Sequence, residues 1–162
     1  MKQNRRQFLQ RAVGAGGAAA AAPMILAQSV RGANDRVVFA LIGAGGRGRG
    51  VTGNFREAGA RCAAVAEIYE PNIENGLKAA GPGAQIYTDY RKMLERKDID
   101  AVLIATPDHQ HAPNLYAAID AGKDVYLEKP MSHSIEQGAE MVKRVRATNR
   151  IVQIGMQRRS SP

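Results

Sequence analysis

Beyond about residue 35 the chain alternates two kinds of hydrophobic pattern. Short apolar runs at 37–42, 62–66, 101–105, 125–127 and 151–154 are separated by stretches in which apolar positions recur every three or four residues. A continuous run of Val, Ile, Leu and Ala suits a strand whose sheet is covered on both faces, whereas the wider spacing lays an apolar stripe along a helix. The pattern predicts strands at 37–42, 61–67, 86–87, 101–105, 125–127 and 151–154. Helices are expected from the glycine cluster after Ile42 to about Ala58, and at about 72–80, 90–96, 113–121 and 135–148. Gly81-Pro82-Gly83 and Gly122 supply stops, and Asp89 is placed to cap the helix that follows it. Strand and helix alternating in this order predict an α/β fold with a Rossmann-type doubly wound parallel sheet over residues 35–162. Ligands of such a sheet sit at the carboxyl ends of its strands.

The first of those ends carries the most informative residues, Gly43-Ala44-Gly45-Gly46-Arg47-Gly48. In a Gly-x-Gly-x-x-Gly turn between strand and helix, the first glycine turns the chain tightly. The second removes a Cβ from the path of a pyrophosphate, and the third lets the helix pack against the sheet. The helix then presents unpaired N–H groups and its positive dipole end to the anion. Glu67 closes the second strand 24 residues beyond Gly43, about where the fold places an acceptor for an adenosine ribose hydroxyl. Its charge would repel the extra phosphate of NADP, so NAD is the expected cofactor, with NADP as the alternative because Arg47 and Arg49 lie near.

Composition narrows the partners. At 162 residues, 44% hydrophobic and 23% charged, the chain can bury one sizeable core. The net charge of +8 resembles that of a nucleic-acid binder, but Lys2, Arg5, Arg6 and Arg11 lie in an N-terminal segment without acids. The remaining excess is dispersed and has few aromatic stacking partners, so no nucleic-acid face is expected. Cys62 is the only cysteine and sits in an apolar strand, which excludes an internal disulfide and predicts a buried, inert thiol. His109 and His111 are one residue apart, but no cysteine or carboxylate cluster accompanies them, so no metal is expected.

The other chemistry-bearing segments fall at later strand ends. Thr106-Pro107-Asp108-His109-Gln110-His111 follows the fourth strand and Glu128-Lys129-Pro130 the fifth. Topology alone brings both beside the glycine turn. A lysine in that crevice could lose solvation and become a proton donor or acceptor near neutrality; the alternative is a solvated loop charge paired with Glu128.

Taken together, GAGGRG, the acidic strand end, ATPDHQHAP, VYLEKPMSHS and IGMQRRS resemble the N-terminal domain of the Gfo/Idh/MocA oxidoreductase family, with Glu-Lys-Pro the most specific mark. The resemblance implies that Gly43, Gly45, Gly46 and Gly48 hold the pyrophosphate and Glu67 the ribose. It implies that Thr106, Pro107 and His111 line the cofactor path and that Glu128 contacts the nicotinamide side. Lys129 is then the catalytic lysine, Pro130 shapes its loop, and Gln157 approaches the cofactor. The implied reaction is NAD-dependent hydride transfer to or from a sugar or polyol carbinol. An NAD-dependent glycosidase of the same superfamily, or a non-catalytic nucleotide-binding module, are the competing readings. Members continue into a second α/β domain that completes the substrate site and supports homo-oligomers. This chain is therefore expected to be the cofactor half, inactive on substrate by itself.

Residues 1–34 read as a leader. Arg5-Arg6-Gln7-Phe8-Leu9, then an Ala/Gly-rich stretch and Pro23-Met24-Ile25-Leu26-Ala27, resemble a twin-arginine export signal. The expected partner is the twin-arginine export machinery and the expected location is periplasmic or exported.

Overall fold

Each apolar run becomes a strand in the computed structural model, which describes residues 36–156. The strands are β1 (Val38–Ile42), β2 (Arg61–Ala66), β3 (Gln85–Tyr87), β4 (Ala101–Ile104), β5 (Asp124–Glu128) and β6 (Val152–Gly155). The helices are α1 (Gly46–Glu57), α2 (Glu70–Ala80), α3 (Tyr90–Leu94), α4 (His111–Asp120) and α5 (Ile135–Arg146). The segment expected to be an export signal, and Gln157, lie outside the described residues.

All strand pairs are parallel and the sheet runs β3-β2-β1-β4-β5-β6. This is the Rossmann order, and its direction reverses between β1 and β4, so a crevice opens above the carboxyl ends of those two strands.

The period of two along each strand sorts side chains into two cores. Ala40 and Ile42 of β1, Val102 and Ile104 of β4, and Val125 and Leu127 of β5 join one layer, filled from the helices by Met93, Leu115 and Met141. Phe39, Leu41 and Leu103 face the other way and pack with Val51 of α1 and Ala80 of α2. On that side Phe55 meets Phe39 and Tyr126 edge-on, with ring centroids 5.3 and 5.2 Å apart. The β1–β2 register shifts between Phe39 and Ala40, leaving Ala63 as an extra residue. Cys62 consequently faces the second core and Ala64 the first.

Helix starts are where the structure departs most from the pattern. α2 begins at Glu70 and α4 at His111, two residues earlier than expected, and each includes a proline in its first turn. Proline fits there because first-turn N–H groups have no intrahelical partner. A short 3₁₀ turn, Asp108–Gln110, leads into α4. Asp89 does cap α3, its Oδ1 accepting from the Arg91 N–H at 2.9 Å. At the opposite end of the sheet Lys123 is buried, and its Nζ donates to the carbonyls of Arg96 at 2.6 Å and Ile99 at 2.8 Å. These bonds tie the turn before β5 to the turn before β4.

Candidate functional site

The glycine turn is built by contacts with its own fold and by space left for something else. Gly43 has φ +88°, and a Cβ there would stand 2.9 Å from the Ala105–Thr106 peptide, so both conformation and crowding demand glycine. A Cβ on Gly48 would collide with the Gly43 carbonyl oxygen and lie 3.1 Å from a Leu41 methyl, which is the close helix-to-sheet packing. At Gly45 and Gly46 a Cβ would meet nothing within 4 Å. The protein's own packing gives no reason for glycine at those two positions. They border a cleft of about 880 Å³, within the usual size range of ligand sites. Helix α1 starts from Gly45 without a side-chain cap, so its first-turn N–H groups remain available to an anion. The donor set and the open space suit a pyrophosphate.

Glu67 lies in the same cleft. Its Oε1 accepts from the N–H groups of Ile68 at 2.7 Å and Tyr69 at 3.0 Å, and its Oε2 from Ala44 at 2.9 Å. A carboxylate offers about four acceptor positions. With three filled by backbone donors, the group is held rigidly and keeps capacity for a hydroxyl. Arg49 does not reach out beside it as a free cation: its Nη1 donates to the Ala44 carbonyl at 2.7 Å and to Asn72 Oδ1 at 3.1 Å. Thr88, Asp89 and Tyr90, after β3, form a further wall that the sequence pattern did not single out.

Thr106 and Pro107 also line the cleft, as does exposed His109. His111 does not. It is 1% exposed and sits behind the wall, with Nδ1 2.6 Å from the Pro130 carbonyl oxygen and Nε2 2.9 Å from that of Thr106. Carbonyls only accept, so at least one ring N–H donates to them. The expectation that His111 lines the cofactor path is thereby corrected. The first turn of α4 points its side chain inward, and it braces the loops after β4 and β5 against each other. A second, exposed tie runs in parallel, with His133 Nδ1 3.3 Å from Asp108 Oδ2. That contact helps hold the Asp108 carboxyl below its usual range.

At the end of β5, Glu128 is buried and Lys129 and Pro130 are exposed, with a cis peptide between the latter two. Glu128 pairs with Arg47 of the glycine turn: Nε and Nη2 both reach Oε1 at 2.8 Å. The alternative in which Lys129 merely neutralises Glu128 is therefore not what forms, because Arg47 holds the carboxylate. Arg47 is correspondingly engaged and not free to attract a 2′-phosphate. Among the described residues Lys129 is exposed and its Nζ makes no ion pair. Cys62 is inert by construction, 2% exposed, with burial pushing its thiol up to about 11.

Comparison with known proteins agrees with this geometry. The family model described as "Oxidoreductase family, NAD-binding Rossmann fold" matches residues 37–156. Inositol 2-dehydrogenase 4 of Saccharopolyspora erythraea is 37% identical over 134 residues, which are 80% of this chain and 39% of that protein. Inositol 2-dehydrogenase of Rubrobacter xylanophilus is 32% identical over 136 residues, 82% of this chain and again 39% of its own length. The crystal structure of myo-inositol dehydrogenase from Lactobacillus casei, in complex with NAD(H) and myo-inositol, superposes with a TM-score of 0.72 at 26% identity. That superposition covers 78% of this chain and 38% of the other. The chain thus spans about two fifths of the length of these relatives, the part that carries the Rossmann sheet. On its sheet order, its glycine turn and these matches, the chain belongs to the Gfo/Idh/MocA oxidoreductase family and folds as its NAD-binding domain.

Proposed function

We propose that this chain is the cofactor-binding part of an NAD-dependent dehydrogenase acting on a carbinol of a cyclic polyol or sugar. The observation that carries this reading is the cleft itself. Open space at Gly45 and Gly46, an uncapped helix start, and a rigid Glu67 with spare acceptor capacity stand in the order pyrophosphate, then ribose. The inositol dehydrogenases among the relatives support a polyol as the substrate class.

NAD, when bound, supplies the hydride acceptor. The glycine turn would orient the pyrophosphate through backbone N–H groups, and Glu67 would accept from the adenosine ribose. Thr106 and Pro107 would border the path between them. The pairing of Arg47 with the buried Glu128 carboxylate would fix the strand end from which Lys129 projects, and Lys129 Nζ would take or return the hydroxyl proton of the substrate. Gln157 and the leader enter the reading as proposals of the same kind, the first as a cofactor contact and the second as an export signal. A further α/β domain would cover Lys129 and complete the substrate pocket, with homo-oligomers built on it.

The test is titration of the mature chain with NADH, with inositol turnover measured on a version extended by such a domain. NADH binding by the short chain without turnover is expected. Lys129→Ala in the extended version should keep NADH affinity and lose about 10²- to 10⁴-fold in kcat. Absence of NADH binding, or full activity in Lys129→Ala, would overturn the reading.

A further inference from the structure

Helix α4 buries a polar group that its packing does not call for. Asn114 is 2% exposed, beside Leu115 and one turn from Ala118 on the face that enters the core. Its Nδ2 donates to Thr106 Oγ1 at 3.1 Å, but its Oδ1 has no partner. An unmet buried amide oxygen is destabilising, and a leucine at the same place would avoid that cost. The residue therefore destabilises the fold locally, which is the mark of a side chain kept for another task.

Its one hydrogen bond shows what the task is. A threonine hydroxyl has one O–H to donate and two lone pairs to accept with. The amide N–H of Asn114 occupies a lone pair, so the hydroxyl hydrogen is directed away from Asn114. Among the described residues that O–H meets no protein acceptor. The rest of Thr106 is fixed: its carbonyl faces His111 Nε2 at 2.9 Å, and its N–H lies where a Cβ on Gly43 would approach to 2.9 Å. Thr106 stands against the glycine turn, and both it and Asn114 border the cleft. An outward O–H at that place is a donor aimed at the site where the glycine turn receives an anion.

We infer that Asn114 is a positioning residue that holds the Thr106 hydroxyl as a hydrogen-bond donor to a pyrophosphate oxygen of the bound dinucleotide. The inference rests on the dinucleotide reading given above. It adds to the backbone cradle a side-chain donor whose direction is set by a buried amide behind it.

The experiment uses the full 162-residue chain titrated with NADH, ADP-ribose and adenosine, together with thermal melts. Asn114→Leu should weaken NADH and ADP-ribose about tenfold, the usual loss for one hydrogen bond to a charged group, while adenosine affinity and Tm hold or Tm rises. Thr106→Val should lose the same factor, Thr106→Ser should retain affinity, and the double variant Asn114→Leu/Thr106→Val should be no worse than either single one. Asn114→Asp discriminates further. A carboxylate only accepts, so it would draw the O–H inward and should weaken ADP-ribose at least as much as Thr106→Val. Wild-type affinity for ADP-ribose in Asn114→Leu or Asn114→Asp would overturn the inference and leave the dinucleotide reading intact. An equal loss for adenosine would also overturn it, as the sign of a general packing defect. A wild-type chain that binds neither NADH nor ADP-ribose would overturn both.

Discussion

Arg47 and Glu128 are 81 residues apart in sequence, yet both the Nε and Nη2 groups of the arginine reach one carboxylate oxygen of the glutamate at 2.8 Å. The pair joins the turn after β1 to the end of β5, across the strand β4 that lies between them in the sheet. Only the glutamate is buried, at 4% side-chain exposure against 44% for the arginine. The carboxylate raises the Arg47 pKa, mainly through the hydrogen bond. Because the arginine is half in solvent, its own stake in stability is small, whereas a buried Glu128 left alone would carry an uncompensated charge.

Arg47→Met is therefore expected to destabilise more than Glu128→Gln. Chemical denaturation should show a loss of about 1–3 kcal/mol for the first and less for the second. The double variant should be more stable than the sum of the two losses implies. Additive losses would mean that the pair is not coupled.

Glu67 should decide between the two nicotinamide dinucleotides. It is held by three backbone N–H groups, and neither Arg47 nor Arg49 is free to receive a 2′-phosphate. NADH should bind at least about tenfold more tightly than NADPH, and Glu67→Ala should erase most of that difference. Calorimetric titration of both cofactors checks it; equal affinities untouched by the substitution would remove the ribose role from Glu67.

The Cys62 thiol provides a pH signature. Burial raises it from 9.0 to about 11, so the folded state resists ionisation that the unfolded chain permits. Its contribution to stability is whole below pH 9.0 and is lost as pH rises toward about 11. Unfolding free energies of wild type and Cys62→Ala should converge over that window, by about 2 kcal/mol. A thiol reagent at pH 8 should label the native protein slowly and the urea-unfolded chain at once.

The export signal proposed for the N-terminal segment predicts where the cofactor is acquired. NAD is made in the cytoplasm, and the twin-arginine route carries folded cargo, so the full-length protein isolated from the periplasm should contain bound cofactor. Changing Arg5 and Arg6 to Lys should leave it in the cytoplasm. Export that persists in the double variant, or a cofactor-free exported enzyme active only with stoichiometric added NAD, would defeat this expectation.

The sequence by itself determined the order of elements, the parallel sheet and the place of the crevice. These follow from local information: β-branched and alanine-rich runs that suit a doubly covered sheet, glycines that only certain turns accept, and a connection rule that leaves one handedness. Gly43 and Gly48 were legible for the same reason, since the strand–turn–helix geometry alone forces them. Helix starts at Glu70 and His111 were less so, because proline in a first turn looks from the sequence like a break.

What only the tertiary structure decided is which polar groups meet. His111 reads in sequence as a loop residue of the cleft, but a start of α4 at His111 turns it inward between two carbonyls. The partner of Glu128 is Arg47 rather than the adjacent Lys129, because side chains of neighbouring residues at a strand end point to opposite sides. Asn114 carried one faint signal, a polar residue beside Leu115 and one turn before Ala118 on the buried face of its helix. Its meaning depended on a threonine brought to it by the sheet and on an amide oxygen left without a partner. Spacing along a chain fixes backbone periodicity; hydrogen-bond partners across strands depend on distances of a few tenths of an ångström, which only the folded packing sets.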